Sequence, residues 1–201
     1  MNELIITQAT KEDLPAILDV QKKAFLEVVR AFHVKSLPPL EQTLDSVTDE
    51  FNTGTILKAT LTSAADMKDR QNIMASLRRV PFRVGSETTE AISSDTGIAA
   101  LLSGARNDKL IVGSVRAYQE NDTCYIGKLV VLPEYQNEGI GKALMRAIED
   151  QYKNIVKRYE LFTGTRDPKN RRLYSQLGYK SFKTEKLNDD VSFVYMEKYL
   201  E

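Results

Sequence analysis

Residues 136–141 read Gln-Asn-Glu-Gly-Ile-Gly and stand between an apolar run, KLVVLPEY, and a helix-like run, KALMRAIEDQY. Two glycines, one residue apart, occupy the point where a helix must begin. Glycine is worse than alanine inside a helix by up to about 1 kcal/mol, so its repetition needs a reason. Strand, short turn, glycine pair, helix is the order of an anion site. A helix N-terminus carries unpaired N–H groups and about half a positive charge. A phosphate group fits there when no side chain blocks its approach. Gly139 and Gly141 remove those side chains. The other reading is that the glycines only let the helix lie close to the sheet.

Two common phosphate loops fail the test. A P-loop has Gly where Gln136 stands and Ser or Thr where Ala143 stands, although Gly141-Lys142 is in place. The dinucleotide fingerprint G-x-G-x-x-G meets Leu144 at its third glycine.

The flanking pattern gives the fold class. Leu4-Ile5-Ile6 reads as a first strand, and Thr10-Lys11-Glu12-Asp13 as a capping box with Asp in place of Glu. Leu14, Ile17, Leu18, Gln21, Phe25 and Val28 follow at helical spacing. Pro38 and Pro39 interrupt. Leu40, Leu44, Val47 and Phe51 then make a second helical stripe, with Gly54 as its C-cap. Residues 55–62 (TILKATLT) alternate as a strand. Leu110 to Tyr118 and Thr123 to Val131 read as two strands about the turn Glu120-Asn121-Asp122. A helix from Gly139 to Tyr152 turns Ile140, Leu144, Ile148 and Tyr152 inward, and Glu160 to Thr163 is a strand. Asp167-Pro168 opens a short helix that buries Leu173 and Leu177 and ends at Gly178. Tyr179 to Lys183 and Val191 to Tyr199 close the chain as strands about Asn188-Asp189-Asp190.

Residues 63–108 break this order. Ile73, Met74 and Leu77 suggest a short helix, and Ile98 to Leu102 a strand. Gly85 to Gly97 is rich in Ser, Thr and Glu with almost no apolar anchor, so a mobile loop is expected there. The whole reads as an α/β chain of strands and helices in one domain interrupted by an insertion. A length of 201 residues agrees, since two full domains would be cramped.

Composition narrows the function. Lys and Arg number 28 and Asp and Glu 28, so no global positive field exists to hold nucleic acid or an anionic membrane. A hydrophobic fraction of 42% suits a globular chain. Cys124, the one cysteine, excludes an intrachain disulfide and a multi-cysteine zinc site. It is read as packing within its strand. His33, the one histidine, has no partner at metal spacing and is read as a surface or loop residue. No metal is expected. With no basic leader before a long apolar segment and no long apolar run, no signal peptide or membrane span is expected, and the expected compartment is the cytosol.

The run from Val131 to Leu144, VLPEYQNEGIGKAL, resembles the acyl-CoA signature of the GNAT superfamily of N-acetyltransferases: V-x-P, then [QR]-x-x-G-x-[GA], then a small residue and Leu. Asn170 to Tyr179, NRRLYSQLGY, is similar to that family's second landmark, N-x-x-x-x-Y-x-x-x-G-[FY]. The order of strands and helices agrees along the chain except at 63–108, where the family usually has only a short hairpin turn.

The resemblance implies a fold, a donor and a site, the fold being of the α+β type with a mixed central sheet and helices on both faces. The strand carrying Leu129, Val130 and Val131 should open away from its neighbour, and their backbone should pair with the pantetheine arm of acetyl-CoA. The pyrophosphate should meet the amides of Asn137, Glu138, Gly139, Ile140, Gly141, Lys142 and Ala143, with Gln136 shaping the loop. Many members have Arg where Gln136 stands, which weakens any charge contact. Asn170 should hydrogen-bond the pantetheine; its other reading is a first-turn polar residue. Tyr174 stands at the family position of the acid that protonates the leaving thiolate; its other reading is a core tyrosine. A backbone N–H near Val130 should hold the oxyanion.

An unperturbed lysine-type amine, with a pKa of about 10.4, is neutral only about once in a few thousand molecules at pH 7. A base, a water relay or a desolvating pocket is therefore needed. Many members carry Glu on the strand of Leu129. Here Lys128 stands in that area, and Glu27, Glu120 and Glu160 are unsupported alternatives. Lys157-Arg158 and Arg171-Arg172 read as solvated faces or as contacts for the 3′-phosphate of CoA. The expected function is acetyl transfer to an amine, more in keeping with a small molecule than a protein. A homodimer is left open. The competing function is a non-catalytic acyl-CoA-binding module on the same fold. A nucleotide-binding protein of another fold ranks third.

Overall fold

Thr10 starts the first helix as its spacing implies. The Asp13 carboxylate accepts the Thr10 backbone N–H at 2.7 Å and its hydroxyl at 3.0 Å. A computed structural model describes residues 3–32, 37–62, 110–187 and 191–200. In it, β1 (Glu3–Gln8) leads through a turn, Lys11–Asp13, into α1 (Leu14–Phe32). The expectations for 63–108, for His33 and for the Asn188-Asp189-Asp190 turn lie outside the described residues.

Pro38 and Pro39 open a short helix, α2 (Pro38–Glu41), instead of merely interrupting the chain. The first turn of a helix needs no proline N–H, so both residues fit there. α3 (Leu44–Thr53) is capped by Thr43, whose hydroxyl accepts the Ser46 N–H at 3.2 Å. Val47 is fully buried, but Leu44 faces solvent. Gly54 ends α3 in an extended conformation, not the left-handed one expected of a C-cap glycine. Its reason is close approach, because a Cβ at Gly54 would lie 2.6 Å from the carbonyl oxygen of Ala117.

The remaining elements are β2 (Thr55–Thr62), β3 (Leu110–Glu120), β4 (Thr123–Val131), α4 (Ile140–Tyr152), β5 (Arg158–Gly164), α5 (Pro168–Gln176), β6 (Lys180–Lys186) and β7 (Ser192–Tyr199). The strands form one sheet in the order β1-β2-β3-β4-β5-β7-β6. Neighbours are antiparallel except β4 and β5, which are parallel.

Strand alternation sorts the apolar side chains onto two faces. On one, Leu57, Val115, Ala117, Ile126, Leu161 and Met196 pack with Leu144, Met145 and Ile148 of α4 and with Tyr174 of α5. On the other, Ile56 packs with Leu14, Ile17 and Leu18 of α1 and Val47 of α3. Helices therefore cover both faces. In α5 the buried residue is Tyr174; Leu173 and Leu177, expected to be buried, are only partly so. Cys124 sits in the core of β4, where burial and then Glu149 push its thiol up to about 12. It is inert as a nucleophile at neutral pH. Arg158 is no solvated face: its guanidinium holds Glu197 at 2.8 Å and Glu160 at 2.5 Å. Lys157 pairs with Asp122 on the surface.

Candidate active site

The parallel ladder between β4 and β5 is short. It pairs Thr123, Cys124, Tyr125 and Ile126 with Arg158, Tyr159, Glu160 and Leu161, and then stops. Beyond Ile126 the two strands diverge, and Gly127–Val131 is held by β3 alone. An irregularity marks the divergence. Arg116 pairs with Gly127 and Ser114 with Val130, so Val115 faces two residues, Lys128 and Leu129. Lys128 has a φ of +50°. An extra residue in one strand bends it and raises its twist, which is how β4 leaves β5. Leu129, Val130 and Val131 lie on this open stretch.

The loop after β4 stands at the same opening. Gln136 donates its side-chain amide to the Val131 carbonyl at 3.1 Å, tying the loop to the strand. Asn137 and Gly139 are left-handed, with φ of 67° and 83°. A Cβ at Gly139 would meet nothing within 4 Å, so the turn and not crowding requires glycine there. Glu138 lies between them on the exposed side. Gly139 begins α4, and the first helical hydrogen bond runs from the Ala143 N–H to the Gly139 carbonyl at 3.0 Å. The amides of Ile140, Gly141 and Lys142 precede that bond and are the orphan donors of this end. Gly141 looks onto the opening: a Cβ there would touch Leu173, Leu129 and Val131 at 3.7, 3.8 and 3.9 Å. These are ordinary contacts, so close helix–sheet packing does not demand the glycine.

α5 approaches from the same face. Asp167 caps it by accepting the Asn170 N–H at 3.0 Å. The Asn170 side chain also donates to Asp167, at 2.9 Å, so one of its amide protons is committed to the cap. Tyr174 is 6% exposed and packs edge-on against Tyr179 with ring centres 6.1 Å apart. Burial, and then Asp167, raise its hydroxyl pKa above the ordinary phenol value. It therefore stays protonated through the neutral range.

The opposite mouth of the opening, under α1 and α3, holds a cluster that sequence reasoning missed. Lys128 reaches from the irregular turn of β4 to the Glu50 carboxylate and, at 3.0 Å, to the Gln42 side-chain oxygen. Arg116 donates to the same Glu50, to Gln42 at 3.0 Å and to Gln21 at 2.7 Å. Gln42 in turn donates to Glu50 at 2.7 Å and to Ser46 at 3.1 Å. The signal was present: Gln42, Ser46 and Glu50 fall at four-residue steps, a polar stripe beside an apolar one. A carboxylate thus does reach this part of β4, but from α3. Of the other carboxylates considered, Glu27 pairs with Arg30 on the surface of α1, Glu160 is held by Arg158, and Glu120 is exposed at the end of β3.

Burial pushes the Glu50 carboxyl up, but hydrogen bonds from Lys128 and Arg116 bring it below the ordinary value overall. Burial likewise lowers Lys128, offset in part by Glu50. A lowered carboxylate stabilises the fold above its unfolded pKa and loses that contribution as pH falls through the folded one. Glu50→Gln is therefore expected to cost about 1–3 kcal/mol at pH 7, since Glu50 is partly solvated. The gap to wild type should narrow as pH falls below the ordinary carboxylate range, through the lowered pKa of Glu50. Urea melts across pH check this, and a difference independent of pH would contradict it.

A family model described as an acetyltransferase (GNAT) domain matches residues 84–200. This chain belongs to the GNAT acetyltransferases. Solved GNAT structures share its fold. The PaiA N-acetyltransferase of Thermoplasma acidophilum, solved in complex with coenzyme A, superposes with a TM-score of 0.62 at 14% identity, covering 98% of this chain and 99% of that one. An N-acetyltransferase from Staphylococcus aureus Mu50 gives 0.62 at 14% identity, covering 99% of each chain. The ribosomal-protein-S18-alanine N-acetyltransferase of Escherichia coli gives 0.60 at 14% identity, covering 98% and 92%. No protein of curated function matches the sequence significantly. Membership supports acyl transfer from an acyl-CoA, and similarity at this identity describes the fold alone.

Proposed function

We propose that this GNAT chain, folded as one domain with 63–108 as an insertion, transfers an acetyl group from acetyl-CoA to a primary amine of a small molecule. The natural compartment for that reaction is the cytosol, where the donor is available. The observation that carries the reading is the opening between β4 and β5, flanked on one face by the free end of α4 and by Tyr174. The pantetheine arm lies along Leu129–Val131 as an added strand would. The diphosphate meets the loop from Asn137 to Lys142, with Gln136 and Ala143 fixing its two ends. The free oxygen of Asn170 faces the pantetheine.

The amine attacks the thioester carbon directly. A C–N bond forms and the C–S bond breaks. A backbone N–H near Val130 steadies the oxyanion. The nitrogen releases its proton to solvent, and the departing thiolate takes one from Tyr174, which solvent then restores. Glu50 is a poor base for the first proton, because its two cationic partners hold it ionised and weakly basic.

Thiol release from acetyl-CoA, measured across polyamines, amino acids, amino sugars and short peptides, tests the reading. Turnover above background with any amine supports it. Tight CoA binding by calorimetry with no thiol release across the panel would sink catalysis and leave an acyl-CoA-binding module.

A further inference from the structure

Among the described residues, the cluster under α1 and α3 is not electrically balanced. Arg116 and Lys128 bring two positive charges and share one carboxylate, Glu50. Their other partners, Gln21 and Gln42, are neutral amides. The guanidinium is deep, with Arg116 only 5% exposed, and its Nε has no hydrogen-bond partner among the described residues. Ser114, two residues earlier on the same face of β3, has a buried hydroxyl that is likewise unpartnered. A lysine ammonium has three N–H donors, and Glu50 and Gln42 account for two of those of Lys128. A charge removed from water is costly unless it is paired. Among the described residues, one positive charge and one ammonium N–H of Lys128 are thus unmatched beside the strand segment that carries the donor reading, with the buried Arg116 Nε and Ser114 hydroxyl behind it on β3.

Their position says what could match them. Lys128 is the residue before Leu129, so its backbone belongs to the opening. Its side chain leaves toward α3, away from the face that holds α4 and Tyr174. The donor takes that second face. A molecule reaching the thioester from the first face passes Lys128, whose side chain is 27% exposed. Two residues beyond Arg116 on the same face of β3, Tyr118 stacks on Tyr125 with ring centres 5.1 Å apart. Among the described residues the cluster's one carboxylate, Glu50, is already paired with both cations, which disfavours a polycation there.

Resting on the acetyl-transfer reading, we propose that the acceptor is an amine that also bears an acid group, as an amino acid does, and that Lys128, backed by Arg116, binds that group. The acid completes the charge balance of the cluster, and its amine is thereby held at the mouth of the opening.

Paired acceptors test this: tyrosine against tyramine, phenylalanine against phenethylamine, and γ-aminobutyrate against propylamine. Each pair differs only by a carboxylate. In wild type, kcat/KM for the acid member should exceed that of its partner about tenfold or more, the worth of a hydrogen-bonded charge pair. Lys128→Gln should erase the preference, mainly by raising KM for the acid member, and Lys128→Arg should keep it. Binding of the same compounds to the CoA-loaded protein is read in parallel by calorimetry. Acid members that bind wild type and fail to bind Lys128→Gln, without thiol release, would uphold the site and sink the catalytic reading. Turnover with equal or better use of the acid-free amines would overturn the site and leave that reading standing. An unchanged preference in Lys128→Gln would also overturn it. Melting curves and CoA affinity confirm that the variants fold. If Lys128→Gln does not fold, Lys128→Asn replaces it, since asparagine tolerates the left-handed backbone there.

Discussion

Tyr174→Phe is expected to lower the rate of thiol release by about 100-fold or more, with CoA affinity changed by less than about twofold. The phenylalanine ring keeps the edge contact with Tyr179 and the place of Tyr174 in the core. Only the hydroxyl is lost, and with it the proton for the leaving thiolate. The direction of the Tyr174 pKa sharpens the expectation. A phenol raised by burial is protonated below its shifted value, so the wild-type rate should show no loss of this acid between pH 6 and pH 9. Single-turnover rates across that range, beside calorimetry with CoA, measure both effects. An unaltered rate would remove Tyr174 from the chemistry and make it a core tyrosine.

The second large effect is at the end of α4. Gly141→Glu should weaken CoA binding at least about 100-fold, equivalent to about 2.7 kcal/mol. A Cβ at this position enters ordinary contact with Leu173, Leu129 and Val131, so the helix and sheet accept it. A carboxylate in the first turn of a helix is also mildly favourable to the helix. The loss should therefore fall on the ligand and not on the fold, because the new side chain brings bulk and like charge to the diphosphate. Gly141→Ala should leave melting intact and reduce affinity by less. Unchanged CoA affinity in Gly141→Glu would refute the loop assignment, and a collapse of cooperative melting would restore close packing as the purpose of the glycine.

Most of the fold was readable from local chemistry. Thr10, Asp167 and the inward stripe Ile140-Leu144-Ile148-Tyr152 named their helices, since caps and period are written in neighbouring residues. Gly54 shows the limit. Its glycine follows from the carbonyl of Ala117, a neighbour distant in sequence that no local rule can see. The candidate site divides the same way. The loop from Gln136 to Ala143 and the Asn170–Tyr174 landmark are continuous stretches, so resemblance found them. The cluster of Gln21, Gln42, Glu50, Arg116 and Lys128 is assembled from four separate elements and the link between α2 and α3. Its one local trace was the four-residue polar step from Gln42, just after α2, to Ser46 and Glu50 of α3. Looking for a carboxylate on β4 itself hid the one that α3 delivers there.

The short ladder between β4 and β5 also bears on how the molecule holds together. To one side lies an antiparallel half-sheet, β1 to β4, and to the other a second, β5 to β7. Four registered residue pairs and the packing beneath α4 join them. Parallel pairing of this kind is slow to form and slightly weaker per residue than antiparallel pairing. The opening is thus a seam between two halves, and a strand-like ligand laid into it would supply missing rungs to the joint. A donor present at about 100 times its dissociation constant adds about 2.7 kcal/mol of stability by mass action alone. An acyl-CoA donor bound there would then double as a clasp, and the protein would be sturdiest when loaded.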